Sequence, residues 1–210
     1  MESVWIGLMG MVLSYALGSL SFAVMISRLM GLADPRSFGS KNPGATNVLR
    51  SGSKLAAILT LLLDAIKGVV AVFAALYAVQ HWSLSNAWVA WFGLAAFFGH
   101  LYPVFFKFKG GKGVATAAGV IFALQPVLGL ATMASFAIVL FFSRMVSLAS
   151  MVAAVFAPTY LLLGNGVAWR EPAQAAAALF VMAAFLIWRH RANIDRMLKG
   201  EESRLGSPKR

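Results

Sequence analysis

The chain has 210 residues, 60% of them hydrophobic and only 12% charged, with a net charge of +11 and a mean hydropathy of +0.78. This composition excludes an ordinary soluble domain, because several uncharged stretches are long enough to cross a bilayer, for which about 20 apolar residues suffice. Cysteine is absent, which excludes disulfides, thiolate catalysis and thiolate metal sites, and three scattered histidines do not make a dedicated zinc site.

In chain order, residues 3–27 form an uncharged first span. The opening MESVWIGLMG lacks a basic stretch and reads as a retained span, not a cleaved signal. Residues 55–79 form a second span interrupted by Asp64 and Lys67. These lie one turn apart and read as an intramembrane ion pair, either structural or lining a site. After a short turn at 81–86, residues 87–106 form a third span, with His100 near its end, suited to a structural hydrogen bond or to catalysis. The uncharged run 113–143 has 31 residues, and as one helix it would be roughly 46 Å long, too long for a core of about 30 Å. Gln125-Pro126 divides it into spans 114–124 and 127–142, since proline ends or kinks a helix. Residues 146–163, closed by Gly164-Asn165-Gly166, and residues 173–188 are the last two spans. The short spans 114–124 and 173–188 require tilt, burial or local thinning of the bilayer.

The chain is thus expected to be an all-α polytopic membrane protein, a single integral-membrane domain over residues 1–210 with seven transmembrane helices. Charge tests the division. With seven spans, 16 of the 18 lysines and arginines fall on one side, with Lys67 inside a span and Arg170 opposite. An undivided run 113–143 would move Arg144 and the basic tail to the other side. The positive-inside rule therefore places the N-terminus outside (periplasmic) and the C-terminus inside (cytoplasmic). Topology accounts for the basic balance, and no nucleic-acid partner is expected.

This topology leaves segments 31–54, 107–113 and 189–210 cytoplasmic. Each contains a basic stretch rich in glycine or neutral hydrogen-bonding residues: GSKNPGATNVLR at 39–50, KFKGGKG at 107–113 and RHRANIDRMLKGEE at 189–202. In the second, Lys107, Lys109 and Lys112 are set among Gly110, Gly111 and Gly113. Glycine lets backbone N–H groups turn towards an anion, and lysine supplies charge. The run is not a P-loop, which would need Gly at Phe106 and Ser or Thr at Gly113. By itself it also fits a basic membrane flank. The wider mixture of cations with Ser40, Asn42, Thr46, Asn47, His190 and Asn193 suits an anionic, hydroxylated ligand.

These residues carry a resemblance. GSxNxGATNVLR at 39–50, D-x-x-K-G at 64–68, GHxxPVFxKFKGGKGVAT at 99–116, VSLAS at 146–150 and RHRxNIxR at 189–196 resemble the bacterial acyl-phosphate:glycerol-3-phosphate acyltransferases, the PlsY family. The likeness runs through nearly the whole chain. It implies transfer of an acyl group from acyl phosphate to the 1-hydroxyl of sn-glycerol 3-phosphate, giving lysophosphatidic acid in the bacterial inner membrane, by a protein functional as a monomer. It implies catalytic roles for Ser40, Arg50, His190 and Asn193. Binding roles follow for Asn42, Lys107, Lys109, Gly110, Gly111, Lys112 and Gly113, and for Ser147 near the site. Lys41 stands where many relatives have Gly, and Ala192 where some have Glu.

An acyl phosphate is already activated, so the enzyme needs only to orient an alcohol, neutralise phosphates and move one proton, without metal or organic cofactor. The absence of a G-x-S-x-G elbow favours direct transfer over an acyl-enzyme. His190 and a substrate phosphate oxygen are both candidates for the proton acceptor. His190 also fits a helix-end histidine bonding terminal carbonyls, and Arg50 fits either a membrane flank or a bidentate phosphate ligand. His190 and Asp195 have the H-x-x-x-x-D spacing of an unrelated acyltransferase class. On a helix, however, they lie about 140° apart, so Asp195 is expected to be dispensable. A small transporter for an anionic metabolite is the rival reading, but no inverted repeat is evident and the polar segments lie at one face.

The topology predicts that single cysteines replacing Lys41, Gly110 or Ser203 stay unlabelled by an impermeant thiol reagent in intact spheroplasts. Labelling of any of them would overturn the orientation.

Overall fold

The computed structural model describes residues 2–206. Its helices are α1 (Glu2–Gly18), α2 (Phe22–Leu29), α3 (Ala45–Leu49), α4 (Lys54–Trp82), α5 (Ala87–Leu101), α6 (Val114–Leu124), α7 (Pro126–Ser143), α8 (Val146–Gly164), α9 (Ala173–Arg189) and α10 (Arg191–Leu198). The described residues hold no strand beyond an isolated bridge between Asn165 and Trp169. Four helical stretches are by themselves long and apolar enough to cross a membrane, and up to six are if each bent pair counts as one span; Val114–Leu124 is a shorter apolar helix. The chain divides into two compact units, residues 1–124 and 125–210.

In the first unit, helices approach through small residues, as membrane helices do when packing replaces the hydrophobic drive. A Cβ on Gly119 would collide with the carbonyl of Ala65, and one on Gly68 with that of Thr116, so α4 and α6 touch backbone to backbone. Gly18 and Gly99 play the same part between α1 and α5, against the carbonyls of Ala96 and Tyr15. Ser53 caps α4, its hydroxyl accepting from the Ala56 N–H at 3.2 Å.

The stretch 3–27, read from sequence as one span, is helical in two pieces bent by 40°. Ser19 turns its hydroxyl back to the Tyr15 carbonyl at 2.9 Å and accepts from the Val104 N–H at 3.2 Å. Such local side-chain bonds compete with the helical ladder. The interruption leaves the Leu20 carbonyl available to Lys67, whose Nζ donates to it at 2.9 Å.

In the second unit, Pro126 sits at the start of α7, where a missing N–H costs nothing. Gln125 caps that helix by accepting from the Val127 N–H at 3.3 Å. The Trp169 indole donates to the Leu161 carbonyl at 2.8 Å, pinning the α8–α9 turn to α8. After α10 the tail folds back, and the Leu205 N–H donates to the Arg144 carbonyl in the α7–α8 turn at 2.8 Å.

Candidate active site

The candidate residues fall in both units. In the first unit, Asn47 is the staple of the 39–50 segment. It is buried, its amide donates to the carbonyls of Pro35 at 2.6 Å and Phe38 at 3.1 Å, and its Oδ1 accepts from the Ser40 N–H at 3.0 Å. Gly39 has φ +56°, and where its Cβ would stand lie Asn47 Oδ1 and, 3.3 Å away, Nη1 of Arg50. Ser40 and Arg50 are therefore neighbours across Gly39, and both are exposed. Asn42 lies over Gly44, its amide nitrogen 3.1 Å from where that Cβ would be. Asp34 holds Arg36 at 2.6 Å, and the hydrogen bond from Arg36 keeps the Asp34 carboxyl below its ordinary value.

The 107–113 loop begins with Lys107 and Phe108 both in the left-handed region, at φ +54° and +59°. Non-glycine residues there carry strain that surrounding structure must hold. The Phe108 N–H donates to the Pro103 carbonyl at 2.9 Å. Lys107 and Lys109 are exposed, Lys112 is half-buried, and Gly110, Gly111 and Gly113 are buried. Gly113 has φ +84°, and a side chain there would meet Phe97.

Beneath the loop lies a cluster that the sequence supplied only in part. Lys67 Nζ is 2.8 Å from Asp64 Oδ1 and 2.9 Å from His100 Nδ1, while His100 Nδ1 is 3.4 Å from Asp64 Oδ1. The expected Asp64–Lys67 pair is present, and His100 joins it. The three residues are 3%, 2% and 8% exposed, respectively. The loop rests on this cluster: the Gly111 N–H donates to the His100 carbonyl at 3.1 Å. A Cβ on Gly111 would fall on His100 Nε2 and lie 3.0 Å from the Pro43 carbonyl. This corrects the expectation that the Gly111 N–H faces the anion, since its bond is made within the fold.

In the second unit, His190 stands at the 55° corner between α9 and α10. It is 2% exposed. Its Nδ1 lies 2.8 Å from the Leu186 carbonyl, so the neutral ring carries its proton on Nδ1 and its lone pair on Nε2. Its own carbonyl opens α10 by accepting from Asn193 at 2.8 Å and Ile194 at 2.9 Å. The helix-end arrangement expected as the alternative for His190 is therefore present, and it defines a tautomer that is also a base.

Glu202 is the residue the sequence reading passed over. Its Oε1 accepts from the Ser147 hydroxyl at 2.6 Å and from the Asn193 amide at 2.6 Å, while Oε2 accepts from Arg196 Nε at 2.8 Å. Burial pushes its carboxyl up, but hydrogen bonds from Ser147, Asn193 and Arg196 outweigh this and hold it below its ordinary value. Ser147 and Asn193 are thus joined through a third residue. Asp195 instead pairs with Lys199 at 3.0 Å on an exposed surface. Among the described residues no cluster of His, Asp and Glu could hold a metal ion.

The family model described as glycerol-3-phosphate acyltransferase matches residues 8–200. The chain is 58% identical over 198 residues to a glycerol-3-phosphate acyltransferase of Albidiferax ferrireducens, covering 94% of this chain and 88% of the relative. It is 56% identical to one of Burkholderia orbicola, covering 97% and 95%. Its fold is similar to the crystal structure of PlsY (YgiH), an integral membrane glycerol 3-phosphate acyltransferase, in the glycerol 3-phosphate form. That likeness has a TM-score of 0.86 and 40% identity over 95% of this chain and 96% of that one. The lysophosphatidic acid form of PlsY gives 0.84 and 39%, over 95% of each chain.

Two predictions follow from the second unit's geometry. His190→Ala and Asn193→Ala should each lower turnover about 100-fold or more in protein that still folds, while Asp195→Ala stays within about twofold, as for an exposed ion pair. An Asp195→Ala enzyme as inactive as His190→Ala, and equally well folded, would restore the dyad. Glu202 titrates lower when folded than its ordinary 4.5, so its stabilisation is complete above that value and lost as pH falls through the folded value. Melting temperatures of the wild type and Glu202→Gln should differ at pH 7 and converge as pH falls well below 4.5. A constant difference would show that the carboxylate charge is not what matters.

Proposed function

The chain belongs to the glycerol-3-phosphate acyltransferase family, and from that premise we propose the reaction in full: transfer of an acyl group from acyl phosphate to the 1-hydroxyl of sn-glycerol 3-phosphate. The chain is an acyltransferase enzyme of a multi-pass membrane-protein family. The observation that carries the acceptor is the likeness to an enzyme solved with glycerol 3-phosphate and with lysophosphatidic acid, which are the acceptor and the product of this reaction. The 107–113 loop is read as the site for the phosphate of glycerol 3-phosphate, and the donor follows from chemistry: the basic segments offer cations for a simple phosphate, and the sequence has no motif for an adenine nucleotide.

In this reading the glycerol hydroxyl oxygen attacks the acyl carbonyl carbon, the bond from that carbon to the phosphate oxygen breaks, and inorganic phosphate leaves. Arg50 and the lysines 107, 109 and 112 neutralise phosphate. Ser40, Asn42 and Asn193 orient hydroxyl and carbonyl, and Ser147 helps to place Asn193 through Glu202. The hydroxyl proton passes to His190 Nε2 or to a phosphate oxygen. Direct transfer needs no cofactor.

The reading includes seven spans: the four long helical stretches, the bent pair within 3–29, Val114–Leu124 and Ala173–Arg189, with residues from 190 onward outside the membrane. It places the N-terminus in the periplasm, the C-terminus and site in the cytoplasm, the whole in the bacterial inner membrane, and the active form as a monomer. The rival, a transporter, moves its substrate without changing it.

Purified protein in detergent separates these readings. With glycerol 3-phosphate and acyl phosphate it should form lysophosphatidic acid without a sealed compartment. With acyl-CoA or acyl carrier protein as donor, product should be negligible. Comparable turnover with acyl-CoA would overturn the donor assignment, and no product from any donor would overturn the enzyme assignment.

A further inference from the structure

The buried cluster of Asp64, Lys67 and His100 is larger than charge balance requires. Lys67 and Asp64 already neutralise one another at 2.8 Å, and the Leu20 carbonyl takes a further ammonium proton at 2.9 Å. The imidazole adds no charge that the pair needs. It does add a rigid edge: Nδ1 is held by Lys67 at 2.9 Å, and Nε2 lies where a side chain on Gly111 would project. The Pro43 carbonyl, in the segment that carries Ser40 and Arg50, bounds the same space. On the backbone side, the Gly111 N–H is tied to the His100 carbonyl, and a Cβ on Gly110 would strike that carbonyl too.

We infer that Asp64, Lys67 and His100 are positioning residues that set the height of the Gly110–Gly111 backbone, and with it the affinity of the loop for the phosphate of glycerol 3-phosphate. This rests on the reading of the loop as the glycerol 3-phosphate site. The three side chains act through the loop and touch no reacting atom. They determine where the cations and glycines around the phosphate stand, so their loss removes binding common to ground and transition states.

The test measures Michaelis constants for both substrates and turnover in the full-length enzyme. His100→Asn keeps an acceptor near the position of Nδ1 for the Lys67 ammonium and withdraws the edge under Gly111. It should raise the Michaelis constant for glycerol 3-phosphate about tenfold or more, leaving that for acyl phosphate and saturated turnover within about twofold. Gly111→Ala should act in the same direction. In the His100→Asn background its effect should shrink, because the methyl group then has room, so the two changes combine less than multiplicatively. A lowered melting temperature with an unchanged Michaelis constant for glycerol 3-phosphate would reduce the cluster to a structural role. Multiplicative effects, or equal losses for both substrates, would overturn the inference as well. Gly111→Ala is an independent arm should His100→Asn fail to fold: a folded Gly111→Ala enzyme with unchanged glycerol 3-phosphate dependence refutes it. A wild-type enzyme that makes product with acyl phosphate but shows none of these shifts sinks this inference alone. A wild type that does not use glycerol 3-phosphate sinks the site reading and this inference together.

Discussion

Lys67 carries an ammonium into the interior of the first unit, and a charge taken out of water there requires partners on several sides. It finds Asp64 one turn back on α4, His100 on α5, the Leu20 carbonyl and, 5.8 Å away, the face of Phe22. The partners come from α4 itself, from α5 and from the α1–α2 junction, so satisfying one ion fixes the relation of several elements. The break between α1 and α2 belongs to the same requirement: a continuous helix would keep the Leu20 carbonyl in its own ladder. Removing Asp64 or Lys67 alone leaves an uncompensated charge, a loss on the order of 3–5 kcal/mol. A well-packed apolar replacement of the whole would cost far less, so stability by itself does not explain why the cluster is ionic.

A carboxylate organises the second unit by the same logic. Glu202 collects three donors, one from α8 and two from α10, drawing Ser147, Asn193 and Arg196 to one point. Asp195, only seven positions earlier, makes one exposed pair with Lys199. Both are acids in a basic tail. The difference lies in the chain path: Gly200, at φ +71°, turns the tail back over the α7–α8 turn, where the Leu205 N–H reaches Arg144. Burial, not sequence spacing to His190, separates the acid that joins Ser147 and Asn193 from the one on the exposed surface.

Much of the fold was readable because membranes simplify the code. Long apolar runs gave helices, and Gln125-Pro126 gave the division that the structure shows between α6 and α7. The break at residues 19–21 was not readable, since two serines in an apolar run are a weak signal until Val104 and Lys67 are seen to use the released groups. The site was readable as composition, through glycines and cations in short segments. What escaped were long-range partners: Glu202 for Ser147 lies 55 positions away, and His100 for Lys67 lies 33 away. The glycines of the loop illustrate the limit. Sequence reads the loop glycines as freedom for backbone N–H groups to turn, and only the structure shows that His100 occupies the space beside Gly111.

The chemistry places an unusual demand on such a loop. In the proposed reaction the acyl phosphate needs little activation, so rate depends on holding an alcohol at the right distance and angle from the carbonyl, where an error near 1 Å can cost about a hundredfold. Yet a run of glycines has the least conformational stiffness of any backbone. Accuracy must therefore be borrowed from what the loop lies on. Before the glycines, Lys107 and Phe108 are committed to left-handed conformations; after them, Gly113 is wedged against Phe97; beneath them is an imidazole held by an ion pair. In the proposed reading the glycines permit a close approach to phosphate, and the buried charges decide where that approach occurs. Flexibility at the contact and rigidity below it are complementary requirements, which is why a polar cluster with no role in bond making is placed directly under the binding loop.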